Sequence, residues 1–297
     1  MSETNNNLKD RVRDFWQAHP CGSKFATAQL GTKEFFELIE AHRYASESHI
    51  PIAADFASAK GKRVLEIGCG VGTDGVQFAK AGALYTGVDL TAAAVELAKK
   101  NFELRGLSGT LQTADAEKLG FPDESFDVVY SHGVLHHTPD TKQAISEVHR
   151  VLRPGGQAIV MLYHRNSYNH AVNIRVLRRV GAHLLRWNSG LRAVHNLTGE
   201  PIGSLRQHAA MLKSDEHRYF EAQEFLNNNT DGVGNPLARV YSRKEAHKLF
   251  EDFSQVRLQT YFLNKRFVPL VGKFLPRSVE TQLASRWGWH LWIFAEK

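Results

Sequence analysis

Between residues 61 and 164, short apolar runs alternate with amphipathic stretches of helical period. Strand-like runs fall at 63–67, 84–88, 110–113, 126–131 and 157–163. Helical spacing occupies 73–81, 92–105 and 141–152, the last stopped by Pro154-Gly155-Gly156. Alternation of this kind predicts an α/β fold, a mostly parallel sheet with helices on both faces. The pattern lapses over 165–240, then resumes with a helix at 241–253 and strands at 255–263 and 286–295. The expected organisation is a helical N-terminal cap (1–60), a core (61–164), an inserted helical region (165–240) and a completion of the sheet (241–297). A smaller insertion is expected at 265–285.

Composition narrows this little. With 297 residues and 42% hydrophobic content, the chain can bury one large α/β core. It lacks an apolar run long enough to span a bilayer, and its polar, Asn-rich start is not expected to be a signal peptide. The two cysteines, Cys21 and Cys69, have no metal-ligand spacing, which fits a reducing cytoplasm. A net charge of +6 is spread along the chain without a long basic block, so it speaks to solubility more than to nucleic acid.

The chemistry concentrates at Val64-Leu65-Glu66-Ile67-Gly68-Cys69-Gly70-Val71-Gly72 and at Asp89, which ends the second strand-like run. A strand, a glycine-rich turn and a helix let backbone approach a ligand and offer it free N–H groups. An acid at the tip of the next strand can accept from ribose hydroxyls. Together these describe a nucleoside-bearing cofactor at the carboxyl edge of the sheet. A dinucleotide turn places glycine where this chain has Thr73, and the acidic Glu66 is a poor neighbour for pyrophosphate. An ammonium and a sulfonium suit the site better.

Three later stretches follow in order: Thr113-Ala114-Asp115-Ala116 after the third strand, Tyr130-Ser131-His132-Gly133-Val134-Leu135-His136-His137 after the fourth, and Arg150-Val151-Leu152-Arg153-Pro154-Gly155-Gly156 before the fifth. With the glycine turn they resemble the successive motifs of class I S-adenosylmethionine-dependent methyltransferases, in the branch of the ubiquinone, menaquinone and small-molecule enzymes. The resemblance implies a Rossmann-like seven-stranded sheet whose last strand is antiparallel. It implies S-adenosyl-L-methionine as cofactor, with Glu66, Gly68, Gly70 and Gly72 along its methionine part. Asp89 would hold the ribose, Leu90 would pack on the adenine, and Asp115 and Ala116 would read its edge. Ser131 and His132 would flank the sulfonium, and Arg43-Tyr44 resembles an upstream pair reaching the cofactor's carboxylate.

Methyl transfer asks mainly for in-line positioning and exclusion of water. A base is needed only for a nucleophile that holds its proton tightly; His132 and His136 are the candidates, and His137 is expected to cap the following helix. A zinc site on His132 and His136 is disfavoured, because the accompanying glutamate of such helices is missing. The absence of an Asn-Pro-Pro-Tyr-type motif after the fourth strand argues against DNA. The expected substrate is therefore a small molecule or a lipid-like metabolite. Two alternatives stand beside it, a quinone or lipid enzyme at a membrane surface and a non-catalytic cofactor-binding protein; the sequence leaves the oligomeric state open.

Within the insertion, a helical wheel over 167–188 puts Val172, Val176, Leu177, Val180, Leu184 and Trp187 on one arc and Arg175, Arg178, Arg179 and Arg186 on the other. The expected arrangement packs the apolar arc inward and leaves the basic arc in water. The amide-rich run 225–236 reads as a hydrogen-bonding wall or a connecting turn. Phe15-Trp16 and their neighbours read as a hydrophobic staple or a flap over the cleft.

Overall fold

A computed structural model describes residues 3–20, 22, 26–264 and 275–297; Cys21 and residues 265–274 of the smaller insertion lie outside them. The N-terminal region is helical: α1 (Glu3–Ala18), α2 (Lys33–Ser46) and α3 (Ile50–Ala54) precede the first strand. Thr32 caps α2 by accepting from the Phe35 N–H, and Phe35, Phe36 and Ile39 form its buried stripe.

The core then alternates: β1 (Arg63–Ile67), α4 (Thr73–Lys80), β2 (Leu84–Asp89), α5 (Ala92–Leu104), β3 (Thr110–Thr113), β4 (Phe126–His132), α6 (Thr141–Val151) and β5 (Leu152–Tyr163). β1 pairs in parallel with β2 and β4, β2 with β3, and β4 with β5. After the inserted helices come α12 (Arg243–Leu249), β6 (Gln255–Tyr261), α13 (Arg277–Trp287) and β7 (His290–Glu296), completing a seven-stranded sheet of order β3-β2-β1-β4-β5-β7-β6. The paired ends of β7 run against its neighbours. Gly155 N–H donates to Lys297 O while His164 N–H donates to Trp289 O; on the other side Ser254 N–H donates to Glu296 O and Trp289 N–H to Phe262 O. This is the mostly parallel, Rossmann-like sheet with antiparallel closure that the motif order implies.

Several boundaries differ from the expectation, the helix expected at 241–253 being confined to Arg243–Leu249. β5 starts at Leu152 and carries Pro154-Gly155-Gly156 inside it. The proline lacks an N–H, but its neighbours pair, with Gly155 N–H to Lys297 O and Lys297 N–H to Gly156 O. Residues 286 and 287, expected in the last strand, end α13 instead. Gly288 stops that helix where a Cβ would stand 2.2 Å from the Tyr261 carbonyl oxygen.

The chain forms two compact units. One comprises Met1–Leu162, Arg243–Gln259 and Trp292–Lys297, the other Tyr163–Ser242 and Thr260–Leu291. The second unit opens with a π-helical segment (Asn169–Arg178) that continues as α7 (Arg179–Leu184), then α8 (Asn188–Thr198), α9 (Ile202–Ser214), α10 (Glu216–Phe220) and α11 (Ala222–Asn228). Its small core gathers Leu185, Leu191, Leu205 and Ala209. A buried hydrogen bond joins Tyr219 Oη to His208 Nδ1 at 2.9 Å. The amides of 225–236 serve the turn itself. Asn227 Nδ2 donates to Pro236 O, Asn228 Oδ1 accepts from Gly234 N–H, and Asn229 Nδ2 donates to Phe225 O. These residues are buried, which is the connecting-turn reading.

Candidate active site

Strand β1 delivers its chain into the turn 68–72, where Gly68, Gly70 and Gly72 all have positive φ. The three serve different ends. A Cβ on Gly68 would lie 2.1 Å from the Val134 side chain, so this glycine lets the loop after β4 close over the turn. A Cβ on Gly72 would press on Ala98 at 3.2 Å, so Gly72 seats α4 against α5. Gly70 turns its N–H to the Asp89 carboxylate at 3.1 Å.

Beside the turn lies a cleft lined among others by Gly68, Gly70, Asp89, Leu90, Asp115, Ala116 and His132. Asp89 stands at the end of β2 with one oxygen accepting from Thr91 N–H (2.9 Å) and Thr91 Oγ1 (2.8 Å), the other from Gly70. Burial pushes its pKa up, while those donors oppose the shift. The loop bearing Asp115 is tied down from α6. Glu147 accepts from Leu119 N–H at 2.7 Å, and Arg150 donates to the carbonyls of Leu119 and Phe121.

Seven of the twelve residues expected at the site line the cleft, and Tyr44, Glu66, Gly72, Ser131 and His136 do not. Glu66 precedes cleft-lining Ile67, and period-two alternation sends its carboxyl to the other face of β1. There it accepts from Tyr85 Oη at 2.5 Å. Burial, with the charge of Asp74 adding to it, pushes its pKa well above the usual carboxylate range. The Tyr85 hydroxyl occupies the space a Cβ would need on Gly75 (2.3 Å) and on Gly87 (2.5 Å). Ser131 is likewise turned away, its Oγ donating to Ile67 O at 3.0 Å across β4 and β1.

Arg43 and Tyr44 meet a carboxylate of the protein. Arg43 Nε donates to Asp74 Oδ1 at 2.8 Å and Nη2 to Oδ2 at 2.5 Å, while Tyr44 Oη (2.8 Å) and Tyr130 Oη (2.9 Å) donate to the same group. Burial alone would raise the pKa of Asp74, but Arg43 and the two hydroxyls outweigh it and hold it below the usual value. Arg43 also reaches His132, its Nη2 lying 3.2 Å from Nδ1. A guanidinium only donates, so Nδ1 accepts and the proton of the neutral ring belongs on Nε2. Burial and the Arg43 charge push the His132 pKa well below its usual value. Both effects favour the neutral imidazole, whose Nδ1 accepts from Arg43 while Nε2 lies 3.7 Å from Glu47 Oε2.

After β4, a short 3₁₀ turn (Leu135–His137) folds His136 into the interior and leaves His137 on the cleft wall. Asp140, rather than His137, caps α6 by accepting from Gln143 N–H at 3.0 Å. The Asp three residues ahead of Gln143 is the signal that would have reassigned the cap. His137 meets the edge of Trp16 at 5.4 Å, and Lys9, Val12, Trp16 and Pro20 form a wall of the cleft, the flap reading of this segment. Lys9 Nζ bridges the carboxylates of Asp115 and Glu117, both at 2.6 Å, so Asp115 is ion-paired rather than turned wholly to a base. No local pattern marks Lys9, because its partners lie more than a hundred positions along the chain.

The cleft suits the cofactor implied by the motifs. It joins an acidic acceptor at a strand tip, glycine backbone, and apolar Ile67, Leu90, Ala94 and Val134 in one pocket. Residues 65–160 match the family model for a methyltransferase domain. The chain is 35% identical over 173 residues to a phthiotriol/phenolphthiotriol dimycocerosates methyltransferase of Mycobacterium leprae, covering 52% of this chain and 61% of that protein. It is 35% identical over 107 residues to a ubiquinone biosynthesis O-methyltransferase of Coxiella burnetii, covering 36% and 46%. It thus spans less than two thirds of the length of these relatives. An S-adenosylmethionine-dependent methyltransferase from Mesorhizobium loti shares the fold, with a TM-score of 0.50, 19% identity, and 85% of this chain and 99% of that one covered. Residues 65–160 thus match a methyltransferase domain, and the motif order and sheet topology around them are similar to those of the class I S-adenosylmethionine-dependent methyltransferases.

Proposed function

We propose that the chain transfers a methyl group from S-adenosylmethionine to a small-molecule or lipid-like metabolite in the cytoplasm. The observation that carries the reading is Asp89, an acid at the tip of β2 that opens onto a cleft floored by the glycine turn. In this reading Asp89 holds the ribose, Leu90 and Ala94 pack on the base, and Gly68 and Gly70 border the methionine part. Ala116 lies at the base edge, with Asp115 sharing its charge with Lys9. The cofactor supplies a methyl group on a sulfonium, already an activated leaving group. The protein holds the acceptor in line and keeps water out, and no side chain need take a proton if the acceptor is acidic enough. His132, held by Arg43, then acts as a wall and a positioning group. The printed names of the two relatives favour a lipid-like acceptor, and that of the second puts oxygen first among the atoms to test.

The test is incubation with methyl-labelled S-adenosylmethionine and a cell extract, followed by separation into organic, small aqueous, protein and nucleic-acid fractions. Label in the organic or small aqueous fraction is the expected result. Label confined to protein or nucleic acid, or none despite cofactor binding, overturns the proposal.

A further inference from the structure

The first helices of the second unit reverse the usual relation of side chain to water. Along the π-helical segment and α7, the buried positions are Asn173, Ile174 and Ala182, with Leu185 just beyond. The exposed ones are Val172, Val176, Leu177, Val180, Leu184 and Trp187, with Val180 60% and Trp187 59% accessible. Two arginines of the opposite arc turn into the unit. Arg178 donates to Glu200 at 2.6 Å, and Arg179 lies over the Phe225 ring at 4.7 Å. The apolar arc expected inside is thus outside, a continuous ridge about four turns long. Contiguous exposed apolar surface of this kind marks an interaction site.

Charge identifies what it meets. Residues 165–199 contain six arginines and no aspartate or glutamate. Arg175, Arg186 and Arg192 are exposed, and Arg186 has Glu216 beside it. Aliphatic side chains on a helix flanked by arginine, with a tryptophan at one end, are the composition of an interfacial helix. A two-fold contact between copies would set this arginine-flanked ridge against itself and bring like charges together. A lipid surface carrying phosphate offers an apolar layer and the opposite charge at once.

We propose that this ridge docks the protein on an anionic lipid surface, with Val176, Val180, Leu184 and Trp187 entering the headgroup boundary and Arg175 and Arg192 meeting lipid phosphate. The proposal concerns the surface alone and does not depend on the methyl-transfer reading.

The test is sedimentation of the full chain with vesicles of phosphatidylcholine alone or mixed with phosphatidylglycerol, and gel filtration without lipid. Binding to the mixed vesicles, weakened by added salt and weak on phosphatidylcholine alone, is expected. Arg175→Gln with Arg192→Gln should lower the partition by about fivefold per arginine. Val180→Asp with Leu184→Asp should abolish it at an unchanged melting temperature, and Trp187→Ser provides a milder probe should the double variant misfold. No binding, equal binding to both vesicles, or variants that bind like the parent would overturn the proposal. So would a lipid-free dimer that the double variant dissociates, which would assign the ridge to a second copy.

Discussion

Asp89→Ala probes the acceptor on which the functional reading rests. A carboxylate has about four acceptor positions on its two oxygens. Gly70 N–H, Thr91 N–H and Thr91 Oγ1 already donate to it, and the Leu90 N–H also stabilises its charge. With the carboxylate so engaged, the ribose is assigned no more than about one strong bond. A hydrogen bond to a charged group contributes roughly 1.5–3 kcal/mol. Removing it should raise the dissociation constant for S-adenosylhomocysteine by roughly 10- to 150-fold. Calorimetric titration reads this directly. Thr91→Ala keeps the carboxylate and removes only the bond at 2.8 Å, so it should cost about tenfold or less. A change below about threefold for Asp89→Ala would refute the ribose assignment. A loss beyond about a thousandfold would mean that both hydroxyls bind and that the Gly70 or Thr91 bonds give way.

Asp74→Asn should destabilise the fold by about 3–5 kcal/mol, because it leaves the Arg43 guanidinium largely buried without its counter-charge. Urea titration measures this, and a loss under about 1 kcal/mol would contradict the network. Because the native pKa of Asp74 is depressed, its contribution is present above the ordinary carboxylate range and lost as pH falls through the native value, so the variant should flatten the acid limb of stability. His132→Ala should lower kcat by less than about tenfold, where loss of a general base costs roughly 10²–10⁴. The parent kcat profile should show no break near pH ~6.5, and such a break, absent in the variant, would restore the base role. Lys9→Met leaves Asp115 and Glu117 facing each other without a cation, so amide exchange across α1 should quicken; unchanged protection would remove Lys9 as its anchor.

The parallel core was legible because its apolar runs are short, its helices are amphipathic, and glycines punctuate the first turn. Asp89 followed from its place at a strand tip. Glu66 misled because β1 is buried on both faces, so its apolar pattern does not say which residues face the cleft. His136 and His137 exchanged places because a 3₁₀ turn has a tighter period than the helix it precedes. A wheel over 167–188 separates two arcs but cannot say which is inward; the partners that turn Arg178 and Arg179 in are Glu200, in the link between α8 and α9, and Phe225 of α11. The aim of Arg43 at Asp74 and of Lys9 at Asp115 is a matter of tertiary distance alone.

The sheet order has a consequence for the sequence of folding events. Among the described residues, β6 has β7 as its only strand neighbour, and β7 in turn stands between β6 and β5. β6 therefore cannot join by docking on strands already laid down; it waits for the segment that follows it in the chain. Pairings of such long sequence separation are slow to form, and an unpaired β5 edge is open to foreign strands in the interval. The antiparallel strand that closes the sheet thus also ends the period in which the nascent domain is vulnerable to aggregation.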